Sequence, residues 1–232
     1  MSYNKKKNSF WLYAIAGLII VLLAVGAVAV YLLQPVPVKP AIAGVKAGDV
    51  FYYSLQGRSV LGDEDAVEPE GFGQYNLTDY FKVAITDVNG SSVSLTTTWR
   101  FINGTEILQD EWIDLSNGNK TRETDGFWPI YGANLNLNDK LRPFGYDDLK
   151  VDVVDSVTYA SGTRVRNGWS LQDQFVDMTD PSGSRIRTET NNVFFDKQTG
   201  MLDTLTNVQQ YNSPQMNLVI TWKLTNTNVW QV

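Results

Sequence analysis

The chain has 232 residues, 43% of them hydrophobic and 12% aromatic, with seven Trp; that suffices for one membrane segment and one well-filled domain, and is too apolar for a disordered tail. It contains neither Cys nor His, which removes disulfides, thiolate metal sites, cysteine nucleophiles, Ser-His-Asp chemistry and the usual zinc and copper centres. The formal charge is −6, and outside Lys5, Lys6 and Lys7 the chain holds 16 basic residues against 25 acidic ones. Such a balance does not suit a phosphate backbone, so nucleic acid is not an expected partner.

Residues 1–9 carry the three lysines and no other charge. From Phe10 to Leu33 the sequence runs 24 residues without a charged side chain. As a helix this stretch would span about 36 Å, enough for the hydrocarbon layer with some tilt. Phe10, Trp11 and Tyr13 lie at one end and Tyr31 near the other, where amphipathic rings favour the headgroup level. The lysines before the segment predict a cytoplasmic N-terminus and a domain exported across the plasma membrane. A cleaved secretory signal, cut near Ala27-Val28-Ala29, is the alternative; the apolar run continues past that point, which favours an uncleaved signal anchor. Residues 34–43 hold Pro35, Pro37 and Pro40, which end the helix and predict a short extended stalk.

After Gly44 the hydrophobic period becomes two. Between Ser91 and Phe101, Val93, Leu95, Thr97, Trp99 and Phe101 alternate with polar residues, the pattern of a strand with one buried face. Residues 50–55, 81–88, 151–159, 185–195 and 218–224 are further strand candidates rich in β-branched and aromatic side chains. Asn-Gly pairs at 89–90, 103–104 and 117–118 predict tight type I′ hairpin turns, and later turns are expected at 180–183, 196–200 and 212–214. The domain over 44–232 is therefore predicted to be all-β, an antiparallel meander of about 9–10 strands. Such a sheet must curl or pair to bury a face, and a curved sheet, a barrel and a sandwich are preferred in that order. Residues 128–138 are read as a short irregular or helical piece.

Candidate sites are few. Sequons at Asn76, Asn89, Asn103 and Asn119 are glycosylation candidates, three of them at or beside expected hairpin tips. Asp63, Glu64, Asp65 and Glu68 crowd an acidic loop with weak calcium-binding character; the EF-hand spacing fails, and a solvated loop is the simpler reading. Asn134, Asn136 and Asn138 would share a face if extended, either as a polar ladder or, more simply, as an exposed edge. Asp110, Glu111 and Asp114 are the acids most suggestive of glycoside chemistry. No Gly-x-Ser-x-Gly, phosphate-loop or dinucleotide fingerprint occurs, so no catalytic residue and no cofactor is expected. Most Trp and Tyr residues are expected in the core, with a sugar- or lipid-binding platform as the alternative.

Three segments carry a resemblance: Gly44 to Tyr53, Ala133 to Leu141, and Val193 to Leu202 with its Asp196-Lys-Gln-Thr-Gly200 turn. Over about 44–210 they resemble a family of uncharacterised archaeal membrane-anchored surface proteins. The Asp196–Gly200 hairpin is also similar to one in bacterial lipoprotein carriers, which implies a curved sheet around an apolar cavity; the carriers' helical plug and lipid-bearing cysteine have no counterpart. The leading expectation is a non-enzymatic, single-pass surface domain that binds a protein, glycan or lipid partner, or serves as an accessory envelope component. A carboxylate-dependent glycoside hydrolase and a carrier of an apolar ligand are the alternatives.

Overall fold

In the computed structural model, nine strands form one antiparallel sheet: β1 (Val50–Leu61), β2 (Thr78–Asn89), β3 (Ser92–Phe101), β4 (Glu106–Asp114), β5 (Val153–Tyr159), β6 (Gly162–Val176), β7 (Ile186–Asp196), β8 (Leu202–Asn212) and β9 (Gln215–Thr227). Described are residues 40–121, 128–179 and 183–232, together with Leu23 and Val25. The expected cytoplasmic tail, all of the membrane helix but those two residues, and most of the stalk lie outside them. So do Asp180, Pro181 and Ser182 of the expected turn. A single structural unit runs from Pro40 to Val232.

The spatial order is β4-β3-β2-β1-β9-β8-β7-β6-β5. First and last strands pair at the centre, from Phe51↔Thr227 to Leu61↔Met216, and two meanders spread outward from that seam. The sheet is open, with β4 and β5 as its edges, so of the three architectures weighed the barrel and the sandwich do not occur. Strand alternation follows the sequence over most of β3: Val93, Leu95 and Thr97 are buried while Ser92, Ser94 and Thr96 are half-buried, and Thr98 breaks the pattern by being buried too. Sequence period does not mark strands β4, β6 and β8, because their inward positions include Gln109, Glu111, Asn167, Asn207 and Gln209, which blur the apolar alternation.

Because β4 and β5 are opposite edges, residues 115–152 must cross the sheet. Their described part, 128–152, lies over one face and buries Ile130, Tyr131, Leu135 and Leu141 against it. Tyr131 stacks on Phe195 with centroids 4.6 Å apart, and Asn167 donates its amide to the Leu135 carbonyl at 2.9 Å. A short 3₁₀ helix, Phe72–Leu77, covers the same face elsewhere. It sits on β1 where Gly57 leaves room: a Cβ there would meet the Phe72 ring at 3.1 Å. Fully buried side chains such as Phe51, Tyr53 and Phe195 contribute about 1.5–3 kcal/mol each.

Several turns differ from expectation. Gly90 and Gly104 take φ of 63° and 86°, and Gly118 takes 87°, but among described residues the only non-glycine positive φ values belong to Asn134 and Asn138. Asn89, Asn103 and Asn117 are therefore not left-handed, and the turns are not type I′; each needs one left-handed residue, and glycine supplies it. Asn134 (φ 56°) and Asn138 (φ 68°) turn the crossing segment, so 134–138 is neither strand nor helix and the three asparagines form no shared extended face. The short amide side chain tolerates this backbone better than most.

The three segments that carried the resemblance converge at one end of the sheet. Ala133 N–H donates to the Ile42 carbonyl at 2.8 Å, Asn134 N–H to Lys197 at 2.7 Å, and Tyr131 N–H to Gly200 at 2.9 Å. Asp196 accepts from both the backbone N–H and the hydroxyl of Thr199 at 2.8 Å, which closes the β7–β8 turn. Two glycines permit the approach. A Cβ on Gly44 would collide with the Gln198 carbonyl and lie 2.7 Å from the Ala133 methyl, and one on Gly200 (φ 77°) would collide with the Tyr131 carbonyl.

Candidate functional site

The covered face is filled where residues 128–152 and the 3₁₀ helix lie on it, and open between them over β6 to β9. Register aligns the inward side chains of these strands in rows. Trp169, Val193, Leu205 and Trp222 form one row; Leu171, Asn191, Asn207 and Ile220 the next; Asp173, Glu189, Gln209 and Leu218 the third. A polar band thus crosses an otherwise apolar face, with Phe175, Arg187, Tyr211 and Met216 beyond it.

The band is cross-linked. Asn207, 8% exposed, donates one amide hydrogen to Glu189 Oε1 at 2.7 Å and the other to Asn191 Oδ1 at 2.8 Å. Its own carbonyl accepts from Gln209 Nε2 at 2.8 Å, and Gln209 Oε1 accepts from the Tyr211 hydroxyl at 3.0 Å. Arg187 lies 3.4 Å from Glu189 Oε2 and stacks its guanidinium over the Phe175 ring at 4.6 Å. Both amide hydrogens of Asn207 and one lone pair of its carbonyl are thereby used in orienting its neighbours. Asn191 and Gln209 retain unspent amide hydrogens among the described contacts.

Above this floor is a pocket of about 370 Å³ walled by Tyr75 from the 3₁₀ helix, Tyr131 from the crossing segment and Trp169 from β6. The Trp169 indole N–H is buried and only weakly reaches the Tyr131 hydroxyl, forming no well-aligned hydrogen bond. Burial raises the Tyr75 and Tyr131 hydroxyls above their ordinary pKa, so both are neutral donors at physiological pH. Toward the β6–β7 and β8–β9 turns lies a second, more apolar pocket of about 550 Å³, lined among others by Phe175, Met178, Ile186, Pro214 and Met216.

On the opposite face sits an ion network. Arg166 holds Asp155 with two bonds of 3.0 and 2.7 Å and reaches Asp203 at 2.5 Å; Tyr159 donates its hydroxyl to Asp203. One guanidinium thus faces two carboxylates. Burial first, then repulsion from Asp155, pushes that carboxyl up to about 6 against the pull of Thr204 and Lys223. Arg164 pairs with buried Asp196 through bonds of 2.7 and 2.9 Å and stacks over Trp230 at 4.0 Å.

The sites read from sequence are dispersed. Asp110 and Asp114 share the outer face of β4 with Trp112, as their alternation requires, but Glu111 points to the covered face and is buried. Asp110 accepts from Thr96 at 2.6 Å. For Asp114, hydrogen bonds from Ser116, Ser91 and Asn117 outweigh the upward push of partial burial and hold its pKa low. In the acidic loop Asp63 accepts from the Gln215 N–H at 2.5 Å, while Glu68 accepts from the Ser59 hydroxyl. Among the described residues no three carboxylates group as a metal site. Asn89, Asn103 and Asn119 are exposed at turns. Asn76 is exposed too, but its amide donates to the Gly57 carbonyl at 2.9 Å and its carbonyl accepts the Gly57 N–H at 3.0 Å.

The polar band escaped the sequence reading, although a signal exists. In β7 and β8, Glu189, Asn191, Asn207 and Gln209 fall on the same parity as Val193, Phe195 and Leu205, the parity that faces the core. No family model matches the chain, and no characterised protein is detectably similar to it in sequence.

Proposed function

We propose that the chain is a single-pass membrane protein whose β domain lies outside the cytoplasm and binds a ligand or partner without transforming it. The observation that carries this reading is the pocket on the covered face. Its polar groups are held by one another, and aromatic walls rise around an opening that the fold leaves uncovered. Sites of this composition, apolar walls with a few convergent polar groups, are the usual form of small-ligand pockets. Among the described residues of the lining Glu189 is the one carboxylate; Asp173, opposite it on β6, stands outside the lining, and the Glu189 oxygens are engaged by Asn207, Asn191 and Arg187. Acid–base hydrolysis of a glycoside needs a second carboxylate across the bond, so binding fits this lining better than hydrolysis. The apolar 10–33 segment and its preceding lysines support the anchor and the orientation.

The test is turnover. The full chain in lipid nanodiscs is expected to leave ester, glycan and peptide libraries unchanged. Hydrolysis that Glu189→Gln abolishes would overturn the non-enzymatic reading. A second reading, carriage of an apolar molecule, is favoured by one observation, the 550 Å³ pocket among Phe175, Met178 and Met216. Native mass spectrometry of the same preparation would then show a co-purified lipid.

A further inference from the structure

Two features of the Tyr75–Tyr131–Trp169 pocket constrain its occupant. The floor offers amide hydrogens from Asn191 and Gln209, while Asn207 fixes both groups. An amide presents donor and acceptor side by side, which matches vicinal hydroxyls that each donate once and accept twice. A hydrocarbon tail seated here would leave those amide hydrogens and the Trp169 N–H without partners, which disfavours it. The charge of Glu189 is neutralised locally by Arg187, and the described lining of the pocket holds no cation to attract an anion. An anionic ligand would meet Glu189 across a domain already in acidic excess.

The walls supply the complementary half. Tyr75, Tyr131 and Trp169 bring aromatic surface around a volume of about 370 Å³. The C–H faces of a pyranose pack on such surface while its rim hydroxyls reach polar groups beside it. A flat heteroaromatic ring would use the walls but not the row of amides, and an extended peptide would need unpaired backbone at a sheet edge, which this interior position lacks.

We propose that this pocket binds one ring of a neutral sugar, either free or at the end of a glycan. The proposal rests on the binding-domain reading and names its ligand. Gln209 and Asn191 hydrogen-bond the ring hydroxyls, Trp169 Nε1 donates a further bond, and the aromatic walls cover the ring's apolar faces.

The experiment uses the full chain in lipid nanodiscs, because maltoside and glucoside detergents carry the proposed ligand as a headgroup. Glucose, galactose, mannose and N-acetylglucosamine are titrated by calorimetry with tryptophan fluorescence alongside, and the same preparation is applied to a glycan array. At least one neutral sugar is expected to bind. Gln209→Leu should weaken it at least tenfold. Trp169→Phe, which keeps an aromatic wall but removes the N–H together with the five-membered ring, should weaken it several-fold with the protein still folding cooperatively. Binding of free sugar marks a soluble ligand; binding on the array alone marks a glycan terminus. No response to any neutral sugar overturns the assignment, as does binding that both variants leave intact. If sugars fail but native mass spectrometry finds another molecule held by the chain, the binding-domain reading survives without its sugar; if nothing is held, both fall.

Discussion

Replacing Gly200 with Ala tests whether the three converging segments truly set the stability of the domain. Gly200 has φ of 77°, and the added methyl would run into the Tyr131 carbonyl. Left-handed backbone at a residue with a Cβ costs roughly 1–2 kcal/mol. Relieving the collision must move residues 129–131 away from 200–202, which loses the bonds Tyr131 N–H to Gly200 and Leu202 N–H to Pro129, both 2.9 Å. Each such bond contributes about 0.5–1.5 kcal/mol. The movement also loosens Ile130 and Met201, which are completely buried. The sum is a destabilisation of roughly 3–5 kcal/mol, at the top of the range for single substitutions. Gly104→Ala is the control, because Gly104 has φ of 86° but nothing within 4 Å of its Cβ position. It should lose only the conformational term, about 1–2 kcal/mol. Urea unfolding of the full chain in nanodiscs, followed by tryptophan fluorescence, measures both. Equal losses in the two variants would refute the idea that close backbone approach, rather than left-handed φ alone, selects glycine at 200.

Three further outcomes are expected. The Asp203 carboxyl rises to about 6 from an ordinary value of 3.8, so the folded state binds the proton more tightly than the unfolded chain; this contribution is full below about pH 4 and is lost as pH rises through 6, on the order of 3 kcal/mol. Asp203→Asn should remove that component, and pH-dependent unfolding curves of identical slope in both proteins would contradict it. Arg164→Gln leaves Asp196, with a side chain 3% exposed, without its bidentate partner and should destabilise by about 3–5 kcal/mol in thermal or urea unfolding; a loss under 1 kcal/mol, the range of exposed pairs, would mean that water replaces the arginine. Glycopeptide mass spectrometry should find Asn76 unmodified even if Asn89, Asn103 or Asn119 carry glycans, because its amide is committed to Gly57; a glycan on Asn76 would show that this pair opens.

The strands were legible where one face is uniformly apolar. Ser91 to Phe101 needed no tertiary information, since the period of two and the flanking glycines define both the element and its buried side. Strand β8 was harder, because Leu205, Asn207, Gln209 and Tyr211 share one face but not one polarity. The polar band became visible only through register. Asn191 and Asn207 lie 16 positions apart in sequence and become neighbours because the β7–β8 turn, tightened by Asp196, sets them opposite each other.

Local chemistry, then, determined what can be read from neighbours in the chain: an all-β domain after residue 44, many of its turns, and the absence of thiol and imidazole chemistry. Tertiary structure alone decided that the first strand pairs with the last, that residues 128–152 lie over one face, and that a polar pocket stays open beside them. The physical reason is range. Alternation and φ preferences act over a few residues, whereas strand order and face coverage depend on the burial gained when segments more than a hundred residues apart meet.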